Sequence, residues 1–389
     1  MPPAVLRLTS LKNICLAQGT PYHEASYDDT DGAVIQRRFR DVDVVQIPSP
    51  YIYCGLVREA NVFANSFVHL RNNECVFQGQ SLHTSPDLGH FNAYAEAFMG
   101  SHNDTLFQSF IEEECIFLGG MPIDPDASGP GFHLLVNFER FIGEFLVRMA
   151  LFDLYGLTKR LPLVVYDELP EVWVDFICMA GGSRDRLIRV PAARMQAYRN
   201  VWIASSARYY DQRGAHRLWN AGVHWLRYKM LQSIGGAKLS PRRRIYIRPG
   251  KMFAGRVVNE DEIIPLLERY GVEPLELAAL PAREQVEIIS GAELIVATAD
   301  AGAALSWFAP EHCANIVLTP QGNTTGLWGG AGVAALLRQP YEQLECAPIE
   351  RSPANASVDL KVDPDGLRNL VEAALALIDS SHVGDAIRI

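Results

Sequence analysis

Residues 244–310, "RIYIRPGKMFAGRVVNEDEIIPLLERYGVEPLELAALPAREQVEIISGAELIVATADAGAALSWFAP", decide the fold of this chain. The run "RIYIRP" (244–249) has the composition of a short strand. Asn259 with Glu262 three residues on has the form of a capping box. Ile263, Ile264, Leu267 and Tyr270 then recur at helical spacing up to Gly271, which predicts a helix between cap and glycine. "PLELAAL" (274–280) follows as a strand, and Pro281 and Gly291 bracket a second helix. "LIVATAD" (294–300) has the apolar continuity of a buried strand, 301–308 opens another helix, and "ANIVLTP" (314–320) completes the series. Strands alternating with helices of this length predict right-handed βαβ units on a parallel sheet, half of a nucleotide-binding fold.

The βα rhythm extends back to Cys115: "CIFLGG" (115–120), "FHLLV" (132–136), a long helix over 137–155, "LPLVVYD" (161–167), a helix from Pro170, "DRLIRV" (185–190) and "NVWIAS" (200–205). A helix over 215–233 runs into "IGGAKLSPRR" (234–243), whose Gly, Ser and Pro mark a domain boundary. Before residue 111 the sequence is less regular and β-rich, with "VDVVQIP", "ANVFANSFVHL" and "ECVFQGQ" separated by turn signals. The expected organisation is a β-rich N-terminal extension over 1–110, an N-terminal Rossmann-like domain over 111–235 and a C-terminal one over 236–389. The last helix, 366–378, is a candidate return to the first domain.

A length of 389 residues suits two cores, and 48% hydrophobic with 21% charged residues is the composition of a folded globular protein. A net charge of −10 argues against general nucleic-acid binding, which needs a broad basic surface. The seven cysteines are scattered without a zinc-type or redox pair, as in a reducing compartment. No apolar run reaches the roughly 18 residues of a membrane span, so the expected location is cytoplasmic. The Asp-x-Asp pairs at 41/43, 124/126 and 363/365 do not form a convincing metal clamp, and no metal or other cofactor is expected.

Against that acidic background, residues 242–258 carry six cations and no acid. Ligands of open parallel sheets sit beyond the carboxyl ends of the strands, where Arg248 and Asp300 fall, with Lys251 and Arg256 in the intervening loop and a helix N-terminus beside them. These are the features of a phosphate site. Arg242 to Arg244 read instead as a solvated edge. "ATADAGAALS" (297–306) is small enough for close backbone approach to a ligand, or simply for tight helix packing; Asp300 is a sugar contact or a helix cap. In the helix "NFERFIGEFLVRMALFDLYG" (137–156), Asn137, Arg140, Glu144 and Arg148 form a polar stripe and Phe141, Phe145 and Met149 an apolar one. A surface ladder of ion pairs explains that stripe; so does a carboxylate kept ionised between two arginines to act as a base.

The segment 244–310 resembles the signature domain of family 61 glycosyltransferases, a group that includes plant xylan-decorating and animal O-GlcNAc-adding enzymes. The residues that carry the likeness are Arg248 ending the first strand, Arg256, Asn259 with Glu260 opening a helix, Gln285 in the next helix, and the turn Ala299, Asp300, Ala301, Gly302. The family's upstream Asn-Tyr-x-His-Trp helix is similar to Asn137, Phe138, Arg140, Phe141, Glu144 and Arg148. Two positions depart from the family pattern: Ala299 stands where the turn has His, and Arg140 where the helix has His.

The resemblance implies a GT-B arrangement of two facing Rossmann-like domains and metal-independent inversion at the sugar carbon. The donor is a nucleotide-sugar, expected to be a UDP-sugar, held by Arg248, Lys251, Arg256, Asn259, Glu260, Gln285, Ala301 and Gly302. A glycan or other hydroxyl acceptor lies on the side of Asn137, Arg140 and Arg148, with Glu144 as candidate base and Asp300 as the second candidate. Surface-polysaccharide biosynthesis is the expected setting. The alternative is a catalytically inactive binding or scaffold protein of the same fold, motivated by Ala299 and Arg140.

Overall fold

A computed structural model describes residues 7–25, 33–47, 49–63, 67–71, 74–77, 109–118, 138–191, 195–205, 207–210, 216–236, 242–249, 256–299, 301–322, 327–349 and 359–386. Chain contacts divide it into two units. One comprises Met1–Asp29, Ser49–Val136 and Arg140–Leu226; the other comprises Thr30–Pro48, Asn137–Glu139 and Arg227–Ile389.

The N-terminal unit begins with β1 (Arg7–Leu8), the helix Leu11–Gln18 and β2 (Tyr22–Glu24). The next two strands, β3 (Ala33–Arg37) and β4 (Val42–Gln46), form a hairpin that belongs to the C-terminal unit. The sequence assigns all of 1–110 to the first domain, and the structure divides it. Phe39, at the hairpin tip, is buried in the same apolar cluster as Tyr246, Leu294 and Ile316. Arg38 pairs with Asp43 at 2.7 Å and Glu342 at 3.4 Å. Burial of one ring thus recruits a distant piece of chain.

The N-terminal sheet continues with β5 (Tyr53–Phe63), β6 (Phe67–Leu70), β7 (Glu74–Phe77), β8 (Cys115–Phe117), β9 (Leu163–Tyr166), β10 (Leu187–Val190) and β11 (Met195–Ala204). Its order is β1-β7-β6-β5-β11-β8-β9-β10, with β2 paired to β5. Strands β10, β9, β8 and β11 run parallel, in the 3-2-1-4 order of half a dinucleotide-binding sheet, and the chain order reverses between β8 and β11. The rest of the β-rich extension is the other wing of this same sheet, antiparallel except for β1 on β7 and joined through β5 on β11.

The expected helix over 215–233 is shorter. His216–Leu218 (β13) pairs with Arg208–Tyr210 (β12), and the helix is Asn220–Ser233. The run "FHLLV" and Asn137 lie outside the described residues.

The C-terminal sheet contains β14 (Arg243–Ile247), β15 (Val272–Leu275), β16 (Ala292–Thr298), β17 (Ala314–Pro320), β18 (Tyr341–Ile349) and β19 (Asp359–Lys361) in the order β15-β14-β16-β17-β18-β19. The first five are parallel and β19 is antiparallel, so the chain order reverses between β14 and β16. All seven residues of β16 are buried, as befits a central parallel strand covered on both faces.

The strand expected over 274–280 begins earlier, at Val272. Gly271, at φ +71°, ends the preceding helix in the left-handed conformation and turns the chain directly into β15, and Leu277–Ala279 coils into a 3₁₀ turn. The helix Pro364–Ala386 buries Leu367, Val371, Ala374 and Ile378 in the C-terminal core and belongs to the C-terminal unit. Among the described residues no helix is long and apolar enough to cross a membrane.

Candidate active site

Arg248 follows the last residue of β14, and its backbone N–H extends the ladder to the Leu275 carbonyl at 2.8 Å. It therefore lies at the carboxyl end of the sheet, beside the reversal between β14 and β16, where open α/β sheets take ligands. Its guanidinium forks onto Glu260, the first residue of the helix Glu260–Arg269: Nη2 donates to Oε2 at 2.6 Å, and Nε lies 3.2 and 3.3 Å from the two oxygens. Buried Tyr246 donates its hydroxyl to Glu260 Oε1 at 2.9 Å. Burial, then the Glu260 charge, pushes the Tyr246 phenol above its usual range, while the Glu260 hydrogen bond holds the Arg248 pKa up. With 42% of its side chain exposed, Arg248 still presents charge and guanidinium donors outward.

Among the described residues, Asn259, Gln285 and Arg256 have partners of their own. Asn259 precedes the helix but makes no side-chain cap. It is buried and clamps Val362, accepting its N–H at 3.0 Å and donating to its carbonyl at 2.9 Å, while Glu262 lies at 3.4 Å. The capping box of the sequence reading is therefore corrected: a buried backbone pair at Val362 outcompetes the helix N–H groups for the amide. Gln285 is buried and donates to the Leu280 carbonyl at 2.8 Å, which fixes a turn. Arg256 is exposed, and its backbone is tied to β19 through Asp359 at 2.8 Å and Leu360 at 2.7 Å.

Gly302 is buried, and a Cβ there would lie 2.7 Å from that of Ala297, so the small residue lets the helix Ala301–Leu305 pack on β16. Lys251 and Asp300 lie outside the described residues, as does the side chain of Ala301. Of the solvated edge expected at 242–244, Arg242 is exposed and the other two are partly buried. Arg243 pairs with Glu273 at 2.6 Å, and Arg244 with the buried carboxylate of Glu293 at 2.7 Å.

In the N-terminal unit the helix over 138–154 contains a π-helical turn, Phe141–Leu146, which sequence periodicity did not reveal. Phe141, Phe145 and Met149 are buried as expected, with Phe141 stacked on Trp173 at 4.5 Å. Arg148 is buried too, at 3% exposure, whereas Glu144 is half-buried. A surface ladder of ion pairs is thus overturned, because residues 145–152 are buried on every face of the helix and Arg148 with them.

Burial lowers the Arg148 pKa, and the Glu144 charge, then Tyr166 and Tyr53, favour its cationic form. Tyr53 itself is pushed up to about 12, by burial first and then by Tyr51, against the pull of Arg148. The Arg140 side chain lies outside the described set. Among the described residues no group of three or more His, Cys, Asp or Glu side chains converges to hold a metal.

Each unit thus carries a parallel α/β sheet with a reversal of chain order, and Arg248 lies beside the reversal in the C-terminal unit. Residues 133–316, just under half of the chain, match the family model described as Glycosyltransferase 61. No curated protein matches the chain.

Proposed function

We propose that this chain is an inverting transferase that moves a sugar from a nucleotide-sugar, a UDP-sugar in the first instance, to a hydroxyl of a glycan. The C-terminal unit would hold the donor and the N-terminal unit the acceptor, as in the GT-B arrangement. The observation that carries the reading is Arg248, a half-exposed cation oriented by Glu260 at the carboxyl end of β14.

In the displacement, the acceptor oxygen forms its bond to the anomeric carbon as the bond from that carbon to the diphosphate oxygen breaks. Glu144 takes the hydroxyl proton, and Arg248 stabilises the charge that develops on the departing diphosphate. Such a cation supplies without a metal the stabilisation that metal-dependent transferases draw from a bound ion.

Incubation with a panel of nucleotide-sugars tests this, since slow release of free nucleoside diphosphate without acceptor is the expected result. Ala299 and Arg140, at the two departures from the family pattern, favour a non-catalytic binding protein as the second reading. Nucleotide affinity without release of nucleoside diphosphate from any donor would select it.

A further inference from the structure

At the carboxyl end of the N-terminal sheet, strand β2 pairs with the start of β5 so that Glu24 faces Tyr53. Tyr53 is tied to Ser205, just past β11: its N–H donates to Ser205 Oγ at 3.0 Å, and its carbonyl accepts the Ser205 N–H at 2.8 Å. These residues therefore lie beside the reversal between β8 and β11, the ligand position of this second sheet.

Three rings meet there. The Tyr22 and Tyr53 centroids are 5.9 Å apart and those of Tyr51 and Tyr53 5.6 Å, yet Tyr51 keeps 40% of its surface in solvent. The Tyr51 and Tyr22 hydroxyls turn to the Glu24 carboxylate, and Lys12 pairs with it at 3.0 Å. Behind them His23 stacks between Tyr155, at 4.1 Å, and Trp202, at 5.7 Å, and Tyr155 donates to the Glu24 carbonyl at 3.1 Å, which holds β2 rigid.

An exposed aromatic face beside a carboxylate and an ammonium is the chemistry that recognises a sugar ring. The apolar C–H face stacks on the tyrosine, and the hydroxyls exchange hydrogen bonds with both charged groups. The Glu24 charge disfavours a diphosphate there, and a purely apolar ligand would strand the polar groups. Tyr53 is also coupled electrostatically to Arg148, and Arg148 to Glu144.

We propose that Tyr51, Tyr22, Glu24 and Lys12 form a subsite for a neutral oligosaccharide, the acceptor of transfer. The role as acceptor rests on the transferase reading; the binding of glycan does not. The full chain is applied to an array of short neutral oligosaccharides built from glucose, xylose, galactose, mannose or N-acetylglucosamine, and uridine diphosphate affinity is measured in parallel by calorimetry.

At least one oligosaccharide is expected to bind. Tyr51→Ala should weaken that binding about tenfold or more, Tyr51→Trp should retain it, and uridine diphosphate affinity should not change in either. Lys12→Ala, at an exposed helix position, serves as an independent variant and should also weaken binding. A wild-type chain that binds no oligosaccharide, or variants at Tyr51 and Lys12 that bind as wild type does, overturns the subsite. Failure to release nucleoside diphosphate from any donor would instead count against the transferase reading and leave the array result to stand by itself.

Discussion

Arg248 and Glu260 form a forked ion pair, 2.6 Å between Nη2 and Oε2, and the buried Tyr246 hydroxyl holds the same carboxylate from the other side. Of the residues predicted from sequence to bind the donor, Glu260 thus acts through Arg248, aiming the guanidinium that would meet a diphosphate. Arg248→Ala should weaken uridine diphosphate binding by about 1.5–3 kcal/mol, roughly tenfold to more than a hundredfold. Glu260→Gln should weaken it less, because the cation remains and only its orientation is relaxed. Calorimetric titration of both variants checks this, and unchanged affinity in Arg248→Ala would remove the site from the C-terminal unit.

Asn259 has a different task. Its amide satisfies both backbone groups of Val362 in a buried setting, so Asn259→Ala should cost about 1–3 kcal/mol of stability through the unpaired groups it leaves. Uridine diphosphate affinity should change little. Chemical denaturation gives the first number and calorimetry the second; a stable variant that has lost nucleotide binding would return Asn259 to the ligand.

The alternation of apolar strands with capped helices made the C-terminal sheet legible, because βαβ units use only local periodicity. Arg248 was legible for the same reason, since it ends a strand. Local pattern could not reveal Phe39, whose core partners lie more than two hundred positions away, or the π-helical turn and the burial of Arg148 beyond it. Both depend on tertiary packing that no short window contains. Asn259 was placed correctly at the head of its helix, yet its partner is Val362, and a sequence offers no means of choosing between near and remote partners for one amide.

The Tyr51 hydroxyl and then Lys12 hold the Glu24 carboxyl below its usual range. A carboxyl depressed in the folded state stabilises the fold above its unfolded pKa, and that contribution disappears as the pH falls through the folded value. The melting temperature should therefore decline as the pH is lowered beneath the ordinary carboxylate value of 4.5. Glu24→Gln should flatten that part of the profile while leaving the curve above neutrality unchanged. Parallel profiles for the two proteins would show that the cluster contributes no linked stability.

Glu144 is half-buried in the π-helical turn, and its charge is the leading electrostatic partner of buried Arg148. Two consequences follow from that electrostatic interaction. The guanidinium favours the ionised carboxylate, which is the form a base requires, so Glu144→Gln should lower turnover by on the order of a hundredfold or more with donor affinity retained. Removing the carboxylate also leaves Arg148 with a weaker partner in a dry setting, a loss of up to about 3–5 kcal/mol for a buried pair, so the variant should melt earlier. Activity measured well below the melting temperature separates the two effects. The paired variant Glu144→Gln/Arg148→Met should recover stability but not turnover, because it removes the stranded cation without restoring a proton acceptor. Recovery of turnover in that variant would show that Glu144 serves only the packing of Arg148, and nearly full turnover in Glu144→Gln alone would lead to the same conclusion.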